Sequence, residues 1–158
     1  MIQTLITPQQ TIALAFSDGG YLAADAISLH DIAAAEARYV TPVLGESLRD
    51  ALLDGQYEAL LEEYVAPAVA FSVRTMLQRA LNVSTGQAGL VVADCEAASA
   101  ASAAAADALQ RSLVERRRSA VRRLSEHLRA HADEYPEYNV ARDAVQRCSL
   151  YGDIIQIH

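Results

Sequence analysis

From Asp94 to about Glu134 the sequence runs in helical phase without a break. A continuous helix of that extent would reach about 60 Å at ~1.5 Å per residue. The other elements of a chain this short must therefore pack along one long rod. Leu109, Leu113, Ala120, Val121, Leu124 and Leu128 draw an apolar stripe down it, and Tyr135-Pro136 ends it. A second stripe suits it. Between about Tyr57 and Leu81, Leu61, Tyr64, Val65, Ala68, Val69, Ser72, Val73, Met76, Leu77 and Ala80 recur at helical spacing. A stripe this wide marks a central core helix. We expect Leu109, Leu113, Leu124 and Leu128 to be buried against Leu61, Val65 and Val69. Pro67 should bend the central helix, because its ring removes one amide and clashes with the carbonyl of Glu63.

The remaining punctuation yields two shorter helices. Ser28 can cap a helix whose third residue, Asp31, completes a capping box. Pro42 disfavours helix at Thr41, and Gly45 offers a stop. A short helix at Glu46–Leu53 ends at Asp54-Gly55. Thr11–Phe16 is apolar and fits strand or helix equally. Asn82–Val92 combines turn residues with a mostly β-branched run, the pattern of a short hairpin or extended loop. The fold class expected is all-α: about four helices with one long C-terminal helix and a short β-hairpin or extended loop. Residues 1–158 read as one domain, with an irregular lead-in at 1–26 and a tail at 136–158. The tail holds a helical turn near Val140–Cys148 and an extended run at Ile154–Ile157.

Composition narrows the function. A net charge of −7 disfavours general nucleic-acid binding, and nine aromatic residues without tryptophan argue against a stacking surface for bases. No stretch has the length of a membrane span without charge, and no basic start precedes an apolar run, so neither a membrane segment nor a signal peptide is expected. Cys95 and Cys148 form no CxxC pair and read as free thiols. The compartment expected from free thiols is a reducing one.

The reactive side chains form no catalytic pattern. His127 and His131 share a helix face, as zinc ligands can, but Leu128 stands where a metalloprotease needs glutamate, and spacing fixes no third ligand. Glu36, Glu62-Glu63 and Asp133-Glu134 read as solvated acids without a neighbour to tune them. Ser17-Asp18-Gly19-Gly20 lacks the context of a nucleophile turn. Gly86 and Gly89 form no phosphate loop, because the sequence has no lysine. No catalytic, cofactor or metal residue is assigned, and the chain is expected not to be an enzyme.

Arginine carries the surface signal. All 13 basic residues are arginine. Residues 1–94 hold 11 acids and 4 arginines, whereas residues 95–135 hold 6 acids and 7 arginines. An acidic front and a basic back can meet between copies of the chain. At ~100° per residue, Arg111, Arg118, Arg122 and Arg129 share the face opposite the leucines. They form either a solvated face or a surface for an acidic partner or DNA backbone. Arg117 falls inside the apolar stripe and should need a carboxylate, with Glu36, Glu58, Glu62 and Glu63 as candidates. The alanine run Ala97–Ala106 reads either as plain helix propensity or as a smooth packing face. Thr85, Gly86 and Gly89 sit where Asn82–Val92 would project and serve assembly. The candidate interface residues are therefore Arg117, Arg111, Arg118, Arg122, Arg129, Thr85, Gly86 and Gly89.

The order of elements resembles a known family. Asp31-Ile32-Ala33-Ala34-Ala35-Glu36-Ala37-Arg38-Tyr39-Val40 leads into Thr41-Pro42-Val43-Leu44-Gly45. A short helix follows, then Leu60-Leu61-Glu62-Glu63-Tyr64-Val65-Ala66-Pro67-Ala68, a hairpin and another long helix. This is similar to the small helical head–tail connector, or adaptor, proteins of tailed phages and prophages, over roughly Ile27–Val92. The resemblance implies a non-enzymatic homo-oligomeric ring that joins portal and tail proteins. DNA would pass through such a ring without sequence-specific contact. Apart from the resemblance, the residues also suit a cytoplasmic helical interaction or regulatory module acting as a dimer.

Overall fold

The computed structural model describes residues 2–16, 22, 24–81, 83–86, 89–92, 103–145, 148–151 and 154–157. Most of them are helical. The longest element is α7, Ala103–Ala130, 28 residues or about 42 Å at ~1.5 Å per residue. The expected start of this helix at Asp94, Cys95 and most of the alanine run lie outside the described residues.

The lead-in is not irregular throughout. Thr7 caps α1 (Pro8–Ala15) in a full capping box. Its hydroxyl accepts from the Gln10 N–H at 3.2 Å, and the Gln10 carbonyl oxygen accepts from the Thr7 N–H at 2.8 Å. Pro8 stands where its missing N–H costs nothing. The run from Thr11 is thus helix, and Leu5, Ile6, Ala15 and Phe16 enter the core. Ser28 and Asp31 cap α2 (Leu29–Ala35) as expected, with the Asp31 carboxylate accepting from the Ser28 N–H at 3.0 Å.

Helix α2 does not stop before Pro42. It passes into a π turn, Glu36–Val40, and on into α3 (Thr41–Leu44). The same arrangement recurs downstream. Helix α5 (Glu58–Leu60) passes into a π turn at Leu61–Val65 and on into α6 (Ala66–Leu81). Both π turns end on Tyr-Val, with a proline two residues further on, in Tyr39-Val40-Thr41-Pro42 and Tyr64-Val65-Ala66-Pro67. The residue before each proline donates its N–H five residues back, Thr41 to Glu36 and Ala66 to Leu61. One extra residue in the turn gives the proline ring room that a regular α-turn would deny it. That is why Pro42 does not end the first helix and why Pro67 does not break the central one. Gly45, at φ +79°, ends α3 and precedes α4 (Glu46–Leu53).

The core surrounds α6, which packs on α1 and α2 as well as on α7. Leu113, Leu124 and Leu128 are buried, as are Val65, Val69 and Val73. Leu61 and Leu109 are half-buried. Gln110 ties the two helices by donating to the Thr75 carbonyl at 3.0 Å. The stripe of α6 fades toward its end, where Ala80 is exposed. Of the alanine run, Ala104 and Ala105 are exposed and Ala106 is half-buried.

Val83–Gly86 (β1) and Gly89–Val92 (β2) pair antiparallel, with Gly86 opposite Gly89 and Thr85 opposite Leu90. Their side chains and residues 87–88 lie outside the described residues, as does the expected projection of this segment. Cys148–Tyr151 (β3) and Ile154–Ile157 (β4) pair likewise. The part of the tail before them is well anchored. Asp143 is fully buried and accepts from the hydroxyls of Ser125 and Tyr138, each at 2.6 Å, and from the Val145 N–H at 2.8 Å. The Ala144 N–H donates to the Pro42 carbonyl at 3.0 Å. The expected turn near Val140–Cys148 is a short 3-10 helix, Val140–Arg142.

Candidate interaction surface

Each π turn holds its tyrosine against an arginine of α7. The Arg117 guanidinium lies over the Tyr39 ring, 4.2 Å from its centre. The Arg123 guanidinium lies over Tyr64 at 4.8 Å. Arg38 approaches the Tyr39 ring as well, at 5.3 Å. Within one chain, the contact that Arg117 makes is thus with an aromatic face, and the expected carboxylates lie elsewhere. Arg117 is half-buried, not buried, so one side stays hydrated while the ring quadrupole serves the other.

The four acids proposed for Arg117 are placed elsewhere. Glu58, Glu62 and Glu63 are exposed. Glu36 is 1% exposed and opens the first π turn. Its carboxylate accepts from the Leu5 N–H at 2.7 Å and lies 3.6 Å from Arg49. Arg49 also donates to the Gln3 carbonyl at 3.2 Å. Glu36 therefore pins the N-terminal arm. Burial pushes its carboxyl above the usual range, against the lowering by the Leu5 N–H and the Arg49 charge.

Arg117, Arg118, Arg122 and Val121 of α7, with Tyr39 and Val145, line a groove of about 280 Å³. Three of the predicted arginines thus come together. Arg118 pairs with Glu115 at 3.0 Å. Arg111 and Arg129 are exposed on the same helix but do not line the groove. Tyr39 and Val145 were not singled out in the sequence as surface residues. The recurrence of Tyr-Val-x-Pro was the available signal for Tyr39.

The histidine pair belongs to an aromatic cluster. His127 stacks on Tyr64 at 4.0 Å between ring centres and 17° between planes. Its Nε2 shares a hydrogen bond with the Tyr135 hydroxyl at 3.2 Å, and His131 follows at 4.4 Å between rings. Burial, then the His131 charge, lower the pKa of His127. Among the described residues no three His, Cys, Asp or Glu side chains gather as a metal site requires. Among them, too, no helix is long and apolar enough to cross a membrane.

The sequence pattern of a family of unknown function, DUF6712, matches residues 32–147. The chain belongs to that family. The matched span takes in both π turns and every residue lining the arginine groove, and it leaves out α1 and β3–β4. No curated protein and no solved structure matches the chain.

Proposed function

We propose that the chain is a structural, non-enzymatic connector of phage or prophage type: a bundle of about four helices around one long rod that assembles into a ring between portal and tail. The observation that carries this reading is the arginine groove. Arg117, Arg118 and Arg122 surround an exposed recess on the longest helix, while the chain as a whole is acidic at −7. A concentrated basic patch on an acidic protein suits recognition of a protein surface better than general nucleic-acid binding. The element order shared with small head–tail connectors supports the same reading.

The test is assembly on a portal ring. The chain mixed with a portal protein from a genome that encodes both should give a coaxial ring of about a dozen copies on the portal in electron micrographs. A closed two-fold dimer that ignores the portal would contradict the reading and favour a regulatory interaction module.

A further inference from the structure

The groove on α7 is specific enough in shape and charge to name its occupant. Val121 and Val145 give it an apolar part of its lining, and Tyr39 and the three arginines complete it. At about 280 Å³ it takes one or two side chains, not a folded element. A guanidinium stacked on a ring still presents its N–H fork at the edge, and that fork matches a carboxylate. The side chain that suits such a site has a short aliphatic stem and an anionic head, which is glutamate. Among the exposed acids, Asp54, Glu58, Glu62 and Glu63 form a run spaced about one helical turn apart, at the end of α4 and the start of the next helix, and Glu46 and Asp50 precede it on α4.

We propose that the groove formed by Tyr39, Arg117, Arg118 and Arg122 receives the acidic stretch Asp54–Glu62 of a second copy of this chain. The inference rests on the self-assembling part of the connector reading and gives it an interface. The two patches share no residue, so each copy can offer its acids to one neighbour and its groove to another. A contact of this kind is heterologous and propagates head to tail, closing into a ring when the rotation permits. Duplex DNA competes poorly as an occupant, because the pattern of a narrow recess with a partly apolar lining is not that of a basic stripe following a phosphate backbone.

Sedimentation of the full chain tests this, using two charge-reversed variants. R118E/R122E makes the groove acidic, and E58R/E62R makes the stretch basic. All four positions are exposed, and circular dichroism should report an unchanged fold. The wild type should associate with rising concentration, and the association should weaken between about 0.1 M and about 1 M salt as the screening length falls from ~10 to ~3 Å. Each variant alone should associate about tenfold more weakly or less, and mixing the two should restore association, because every contact in the mixture is again complementary. The milder pair Arg122→Gln and Glu58→Gln should fall between, which keeps the test open if a reversal disturbs folding. A monomeric wild type under all these conditions, unchanged association in both variants, or no rescue on mixing would overturn the proposal. So would retention of the wild type on duplex DNA that R118E/R122E abolishes without any self-association, which would assign the groove to nucleic acid. Portal binding is followed in parallel. If it persists while self-association proves independent of these charges, the connector reading stands and only this interface fails.

Discussion

Arg117 lies over the ring of Tyr39 with its guanidinium 4.2 Å from the ring centre, and it joins the longest helix to the first π turn. A half-exposed cation–π contact is worth about 0.5–2 kcal/mol. Arg117→Ala should therefore cost that much in urea unfolding. Arg111→Ala, an exposed change on the same helix, should stay within about 0.5 kcal/mol. Tyr39→Leu combined with Arg117→Ala should cost less than the sum of the two. Additive costs would show that the ring and the guanidinium do not interact.

Packing of the long helix is tested at Leu124, which is fully buried. Leu124→Ala should cost about 2–5 kcal/mol through lost burial and the cavity left behind. Leu109→Ala, at a half-buried position, should cost clearly less. Equal costs would mean that the two leucines share one environment, contrary to the burial gradient along α7.

Much of this packing was legible in the sequence. The Ser28–Asp31 box, the leucine stripe and the exposure of Arg111, Arg118, Arg122 and Arg129 all follow from 3.6-residue periodicity and cap chemistry. Periodicity fixes the direction of a side chain, not what awaits it there. Arg117 was read inside the apolar stripe; it is half-buried, and its ring partner comes from a turn 78 positions earlier. The π turns were hidden for a related reason. Pro42 read as a break and Pro67 as a bend because a regular α-turn was assumed, and one widened turn removes the clash. Thr7-Pro8-Gln9-Gln10 carried a readable capping box that the brevity of α1 obscured. Asp143 gave no signal, because its burial depends on Ser125 and Tyr138, which no local pattern links to it.

Glu36 should make stability depend on pH in an unusual direction for a carboxylate. Burial raises its folded-state pKa above the ordinary carboxyl value, so the folded chain holds this proton more tightly than the unfolded one. This contribution is present at low pH and is lost as pH rises through the folded pKa. Glu36→Gln keeps an acceptor for the Leu5 N–H and removes the charge. Its stability relative to wild type should increase between about pH 4 and pH 7. A constant difference across that range would show that Glu36 titrates normally.

His127 acts in the opposite sense. Burial and the His131 charge lower its folded-state pKa below 6.5, so the folded chain binds this proton less readily. Its contribution is present above 6.5 and is lost as pH falls through the folded value. The nearby charges of Glu134, Glu63 and Arg123 act on it as well. His127→Phe keeps a flat ring against Tyr64 and cannot titrate. Melting temperatures followed from about pH 7.5 to pH 5 should fall less in this variant than in the wild type. Parallel curves would remove His127 as the source.

The connector reading meets its most direct test in intact particles. On this reading a host that encodes the chain yields tailed particles, which are to be purified and labelled with gold-conjugated antibody to it. Label should collect at a single vertex, at the neck between head and tail. Particles free of label, with the chain recovered only from the soluble lysate, would contradict a place in the virion.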